Sequence, residues 1–282
     1  MEPIIKIICG KRAIIILLCI SFVLGISNTM EAKHNKGGRW NNKRYLFRPS
    51  FNDNKKHKGR ICTGINVVAI QSQLKKSNGI TWGILAAKDS VQNGITMAGA
   101  VMTQKQNGVA LSPLYIDAGQ VNGLALSPLI SVVDKMNGVN ISYAAGGYRI
   151  NGLAIGVNIF AKRIQGVGIS YKAQEADTSK GVFISVGGFT DWRTKKERSR
   201  RMIRHTYLSG VAIGCAFSDI ENVKGLVITA WNNSLKQKGV SIGLINTTKR
   251  LRGVQIGLLN YARNNPKGLR LMPFVNVHLK KH

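Results

Sequence analysis

Glycine recurs along this chain every 14 or 15 residues, at Gly64, Gly79, Gly94, Gly108, Gly123, Gly138, Gly152, Gly166, Gly181, Gly210, Gly225, Gly239, Gly253 and Gly268. The one exception is the step from Gly181 to Gly210, which equals two periods. A fixed period of this kind marks a repeat architecture, in which each unit completes its core only by stacking on its neighbours.

The residue after each of these glycines is Ile, Leu or Val, and two positions further on a large apolar residue returns, as in Trp82, Leu111, Ile155, Ile213, Ile242 and Ile256. The position between them is small or polar in most units, as at Thr81, Asn140, Ala154, Ser241 and Gln255. This period-2 alternation predicts a β-strand with one buried face. Gly, Ser or Ala follows in most units, and Pro113, Pro128 and Pro273 come next in theirs, so the strand bends there. Asn precedes the repeat glycine at Asn78, Asn93, Asn107, Asn122, Asn137 and Asn151, and Asn-Gly is the chemistry of a tight turn. Each unit therefore reads as turn, short strand, bend, second short strand.

Two all-β architectures fit. The leading one is a β-solenoid-like stack of 14 to 15-residue units, in which equal lengths and identical motifs follow from equivalent environments. The alternative is an up-and-down β-barrel, including the outer-membrane kind, with each unit a long strand and each Asn-Gly a hairpin. Membrane strands need about 9 to 11 residues of alternation and usually aromatic girdles. Here the alternation lasts roughly five residues before it shifts, and aromatic residues are only 7% of the chain.

Units such as KGVSIGLINTTKRL (238–251) and RGVQIGLLNYARN (252–264), followed by KGLRLMPFVNVHL, resemble a bacterial surface-repeat family of Bacteroidota and spirochaetes, with tandem G-[VL]-x-[IV]-G-L-x-N units behind a signal peptide. The resemblance covers about residues 60–279. It is specific at Gly239 to Asn246 and Gly253 to Asn260, whereas earlier units replace the second Gly by Ser or Ala and often lack the Asn. It implies export to the cell surface or outer membrane, with the periplasm as the alternative, and brings no activity or catalytic residue with it.

The N-terminus gives its own signal. Lys6, Lys11 and Arg12 precede an apolar run from Ala13 to Leu24, and Gly25 and Ser27 follow. That order predicts a signal peptide over 1–27, because the run is too short to span a bilayer; an uncleaved anchor is the competing reading. Cys9 and Cys19 would leave with it, and bulky Leu18 makes Cys19 a poor lipidation site. Cys62 and Cys215 remain, too far apart for a metal-binding spacing and expected as small buried hydrophobes.

The 282 residues carry 41 Lys and Arg against 12 Asp and Glu, a formal charge of +29, with 44% hydrophobic residues. Enough apolar material is present for a core of small aliphatic side chains, which excludes a disordered polycation. The surplus of charge is larger than solubility requires, and its distribution is uneven. Residues 28–60 form a basic arm or N-terminal cap in which Tyr45, Leu46, Phe47, Pro49 and Phe51 can fold back on the first unit. The repeat domain runs over 61–279, with a basic insertion at 190–209 and a basic tail at 280–282. Lys75, Lys76, Lys105, Lys135, Arg149, Lys162, Arg163, Lys236, Lys249 and Arg250 fall three or four residues before a repeat glycine and predict a cationic ladder along one edge.

The candidate anion-binding residues are Arg193, Lys195, Lys196, Arg198, Arg200, Arg201 and Arg204 in the insertion, with Lys162, Arg163, Lys249 and Arg250 on the ladder. Clustered cations hold phosphate or sulfate by charge-assisted hydrogen bonds. The bland reading is that the same cations keep a β-rich surface soluble and free of edge pairing. The expected function is an exported, noncatalytic surface protein that binds anionic surface polymers or lipopolysaccharide phosphate, with an outer-membrane barrel acting as pore or scaffold as the alternative. Nucleic acid fits less well, since Trp192 and Tyr207 are the aromatics flanking the insertion. No cofactor, metal site or small-molecule substrate is expected: His34, His57, His205, His278 and His282 have no ligand spacing, and Asp89, Asp117 and Asp134 read as a polar edge.

Overall fold

The residues around each repeat glycine pair, parallel and in register, with their counterparts one unit away. In the computed structural model, which describes residues 44–50, 61–190 and 206–279, Gly79 pairs with Gly94, Gly108 with Gly123, and Gly239 with both Gly225 and Gly253. Parallel neighbours need a crossover between them, and the second half of each unit supplies it. The described residues form a β-solenoid of about 12 turns. An up-and-down barrel requires antiparallel neighbours, so the parallel register removes that alternative.

The strands are β1 (Arg44–Ser50), β2 (Ile61–Val68), β3 (Gln71–Ser72), β4 (Lys76–Ala87), β5 (Val91–Leu111), β6 (Tyr115–Ser185), β7 (Gly188–Thr190), β8 (Tyr207–Gly214), β9 (Phe217–Asp219), β10 (Asn222–Ile228), β11 (Trp231–Ile242), β12 (Ile245–Ala262) and β13 (Leu271–His278). Several run through more than one coil because pairing continues around the corners. One path stacks β1, β2, β4, β5, β6, β8, β10, β11 and β12; the second strands of successive coils pair through β6, β7, β9 and β11. At Pro113 the ladder is interrupted: Ser112 Oγ donates to the Gly99 carbonyl (2.6 Å) and accepts from the Tyr115 N–H (3.0 Å).

The Asn-Gly pairs are not hairpin turns. They lie inside the ladders, Asn78 beside Asn93 and Gly79 beside Gly94, and glycine is needed for two reasons that Gly152 illustrates. Its φ is +126°, and a β-carbon there would lie 2.1 Å from the Gly138 carbonyl oxygen. The asparagines form a side-chain ladder instead: Asn93 donates to Asn78 (2.7 Å), Asn107 to Asn93 (2.6 Å), Asn122 to Asn107 (2.8 Å), Asn137 to Asn122 and Asn151 to Asn137 (2.9 Å each).

The alternation is real but its sense is unexpected. On the strand that follows the glycine, the small or polar residue faces inward and the apolar pair faces out: Thr81 is 1% exposed, whereas Ile80 is 43% and Trp82 59%. Ile95, Met97, Ile169, Val182, Ile184, Ile213 and Ile256 are exposed in the same columns, while Ala125, Asn140, Ala154, Ser241 and Gln255 are buried. The coil interior is narrow, so most coils place a small or polar residue there, Phe183 and Val227 being the large buried exceptions in that column. Larger buried groups such as Val121, Met136, Ile150 and Ile164 come from the position two before the glycine.

The core also changes character along the stack. Its middle is chiefly aliphatic, with Ser127, Ser131, Asn140, Ser170 and Gln174 as buried polar exceptions, whereas one end holds Ser77, Thr81, Asp89, Gln92, Thr96 and Gln106, all buried. Asp89 accepts from the Leu74 N–H (2.7 Å) and from Gln92 Nε2 (3.0 Å). The other end holds a buried amide ladder, with Asn232 donating to Asn246 and Asn246 to Asn260, each at 2.7 Å.

Both ends differ from the periodic reading. Arg44–Ser50 pairs parallel with Ile61–Val68 and adds a strand to the first coil; the rest of the basic arm, with Phe51, lies outside the described residues, as do the signal-peptide segment and the tail. At the other end Gly268 is not a repeat glycine. It lies in a 3-10 turn (Lys267–Leu269) with an open surrounding, and β13 turns back antiparallel against β12, covering the last edge.

The double step between Gly181 and Gly210 is not a missing repeat. Those two glycines pair directly, so residues 191–205, which lie outside the described residues, are an insertion within one coil.

Candidate functional site

Three residues before each repeat glycine the chain leaves a corner with its side chain outward, and this column collects cations. Lys76, Lys105, Lys135, Arg149, Arg163, Lys236 and Arg250 occupy it, while Lys75, Lys162 and Lys249 lie one position earlier. The ladder is therefore two adjoining columns, and it is interrupted: Val91 follows Lys76 and Gln120 follows Lys105 in the register. Lys135, Arg149 and Arg163 precede the directly stacked glycines Gly138, Gly152 and Gly166, which places three cations on consecutive coils at about 4.8 Å spacing.

Periodicity read from the sequence missed another set. Lys180, Lys224, Lys238 and Arg252 directly precede repeat glycines, where earlier coils carry the Asn ladder. Lys224 pairs with Lys238 and Lys238 with Arg252. The signal was present as the replacement of Asn by a cation in the later units.

The two columns meet at the C-terminal end. Lys236 pairs with Arg250 and Lys238 with Arg252, and these four line a surface depression of about 560 Å³ together with Gln237, Leu251, Asn264 and His278. No carboxylate is among these lining residues. Asn264 closes the wall by imitating a further strand: it accepts from the Leu251 N–H and donates to the Leu251 carbonyl, both at 2.9 Å. His278 is fixed by Asn265, with 2.6 Å between Nδ1 and Oδ1.

The predicted site residues thus divide. Arg250 joins the depression and Lys249 is exposed beside it. Arg163 is exposed on the interrupted column. Lys162 is engaged with Tyr148, donating to its hydroxyl (3.2 Å) with the ammonium 4.7 Å from the ring centre. This contact is the main reason the Tyr148 pKa falls below its ordinary value. Asp134, Tyr148, Lys162 and Asp177 all line a second depression of about 360 Å³. Arg193, Lys195, Lys196, Arg198, Arg200, Arg201 and Arg204 lie outside the described residues.

The remaining chemistry-bearing groups are structural or isolated. Cys62 is buried, with its thiol pKa raised first by that burial, whereas Cys215 is exposed, contrary to the expectation of two buried thiols. Asp89 is consumed by its hydrogen bonds. Among the described residues no three His, Cys, Asp or Glu side chains converge as a metal site. No protein-family model matches the chain, and neither does any curated protein or solved structure.

Proposed function

We propose that this chain is an exported, noncatalytic surface repeat protein that binds polyanions such as lipopolysaccharide phosphate or acidic polysaccharide. The observation that carries the reading is the convergence of Lys236, Lys238, Arg250 and Arg252 on one depression, as two in-register cation pairs. Holding like charges at strand spacing costs electrostatic energy in the unliganded protein, and a repeating anion recovers it. The basic segment from Arg193 to Arg204 adds seven further cations to the same chain. Surface placement is supported by the resemblance of its repeats to the bacterial surface-repeat family. Nucleic acid is the weaker candidate partner, because no Phe, Tyr or Trp is among the residues lining the cationic depression and two tyrosines elsewhere are covered by lysines, Tyr148 by Lys162 and Tyr207 by Lys224.

The test is a titration with dextran sulfate at several salt concentrations. Binding through counterion release gives a linear fall of log affinity with log salt. The triple variant Lys236→Gln, Lys238→Gln, Arg250→Gln is expected to bind more weakly and with a shallower slope. Equal affinity and slope in the parent and the variant would overturn the reading.

A further inference from the structure

The outward apolar columns and the cationic columns adjoin, on either side of the column of repeat glycines. Residues three and one before that glycine, and one and three after it, are exposed or half-buried, whereas the residue two after it is buried. Crossing this face, a coil presents Lys236, then Lys238, then Val240 and Ile242; the next presents Arg250, Arg252, Val254 and Ile256. These coils are cationic on one side of the glycine and hydrocarbon on the other, while earlier coils carry Asn and only some cations on the first side.

The hydrocarbon margin is continuous. Ile80 pairs with Ile95, Trp82 with Met97, and Ile184 with Ile213, and the antiparallel closing strand prolongs it by placing Val275 beside Ile256. At about 4.8 Å per coil the stripe runs on the order of 50 Å. Soluble monomers rarely expose apolar surface of this extent without a partner.

We propose that this face docks on an anionic lipid bilayer, with the apolar columns entering the acyl boundary and the lysines and arginines reaching the phosphates. The inference rests on the polyanion reading and names the partner as lipid. Charge decides between the candidate occupants. A second copy would bring another cationic margin against the first on a chain of net charge +29, whereas an anionic leaflet supplies phosphate and hydrocarbon at adjoining depths. Long cationic side chains reach outward from such a surface while their stems remain in apolar contact.

The experiment is vesicle flotation of the full chain with phosphatidylglycerol vesicles and with phosphatidylcholine vesicles, alongside dextran sulfate binding and sedimentation. The variant is Ile95→Gln, Ile184→Gln, Ile256→Gln, uncharged replacements at three exposed positions on separate coils. The Ala13–Leu24 segment is common to all samples, so the comparison reads the solenoid face. The expected result is parent binding to phosphatidylglycerol well above phosphatidylcholine, weakened about tenfold or more in the variant, with dextran sulfate binding retained. Undiminished vesicle binding by the variant overturns the docking face. So does a parent that sediments as a dimer which the variant splits. Dextran sulfate binding without vesicle binding defeats this inference alone; loss of both defeats the polyanion reading as well. If the Gln variant fails to fold, the Thr variant at the same positions keeps strand preference while removing apolar area, and the same outcomes apply.

Discussion

Gly210 stacks directly on Gly181, although a double period separates them in the chain. In the coil below, Ala176 and Asp177 alone join Glu175 to Thr178, which pair with Thr190 and Tyr207 respectively. Residues 191–206 make the corresponding connection in the coil above. Deleting 191–204 leaves His205 and Thr206 between Thr190 and Tyr207, the same two-residue spacing as in the coil below. The deletion variant is expected to keep the β-sheet circular dichroism signal and a thermal midpoint within a few degrees of the parent, since surface loops tolerate length change. It also removes seven cations, so its dextran sulfate affinity measures their share. A variant that no longer folds would mean that the segment is part of the stack.

Gly152 and Gly268 belong to one column by sequence and to two environments in the fold. Gly152→Ala places a β-carbon against the Gly138 carbonyl at a φ of +126°, and is expected to cost about 3 kcal/mol or more. Gly268→Ala meets nothing within 4 Å and is expected to change stability by less than about 0.5 kcal/mol. Coils of a solenoid open locally, so amide hydrogen exchange around each site is the suitable measurement. Equal protection loss in the two variants would contradict the distinction.

Two buried asparagines carry opposite predictions. Asn246 accepts from Asn232, donates to Asn260 and also donates to the Ile256 carbonyl (3.0 Å). Asn246→Leu removes the middle amide of the ladder, leaving Asn260 Oδ1 without this donor and the Asn232 amide with only its longer bonds, and is expected to destabilise by about 2 kcal/mol. Asn140 lies in the column of Ala125 and Ala154, fully buried, and neither amide atom has a hydrogen-bond partner. Asn140→Ala, the residue of both neighbouring coils in this column, removes two unsatisfied polar atoms and is expected to cost nothing or to stabilise by about 1 kcal/mol. Chemical denaturation of both variants checks the signs, and clear destabilisation by Asn140→Ala would show that its amide is satisfied in solution.

The period of the glycines pointed first to a solenoid, because a stack repeats the same steric demand in every layer, but it left the barrel open until the parallel register of Gly79 with Gly94 decided between them. The sense of the strand was not readable. Ile80, Thr81 and Trp82 alternate as any half-buried strand does, and only the narrow interior of the coil turns Thr81 inward. Asn93 suggested a turn because Asn-Gly does so in hairpins; in register with Asn78 it becomes a rung. The cationic site was partly legible: Arg250 follows the period, while Lys238 and Arg252 hide in positions that are Asn elsewhere, and their convergence appears only when coils are placed side by side.

Tyr115 and Asp117 make stability depend on pH in two separate windows. The Tyr115 phenol is pushed up to about 12, chiefly by desolvation and then by the Asp117 charge. The folded state favours its protonated form, so that contribution is complete below about 10, the unfolded value, and is lost as pH rises toward the folded one. Tyr115→Phe is expected to flatten the alkaline fall in unfolding midpoint. The Asp117 carboxyl is also raised, first by desolvation from crowding protein atoms, although its side chain is exposed by area, and then by the Asp134 charge. Its contribution is present below the unfolded value of about 3.9 and is lost as pH rises through the folded one. At pH 7 the ionised group is therefore a standing destabilisation. Asp117→Asn is expected to raise the denaturation midpoint at neutral pH, and its advantage should shrink on acidification. Midpoints measured across both windows decide the matter, and an Asp117→Asn variant less stable than the parent at pH 7 would refute the assigned sign.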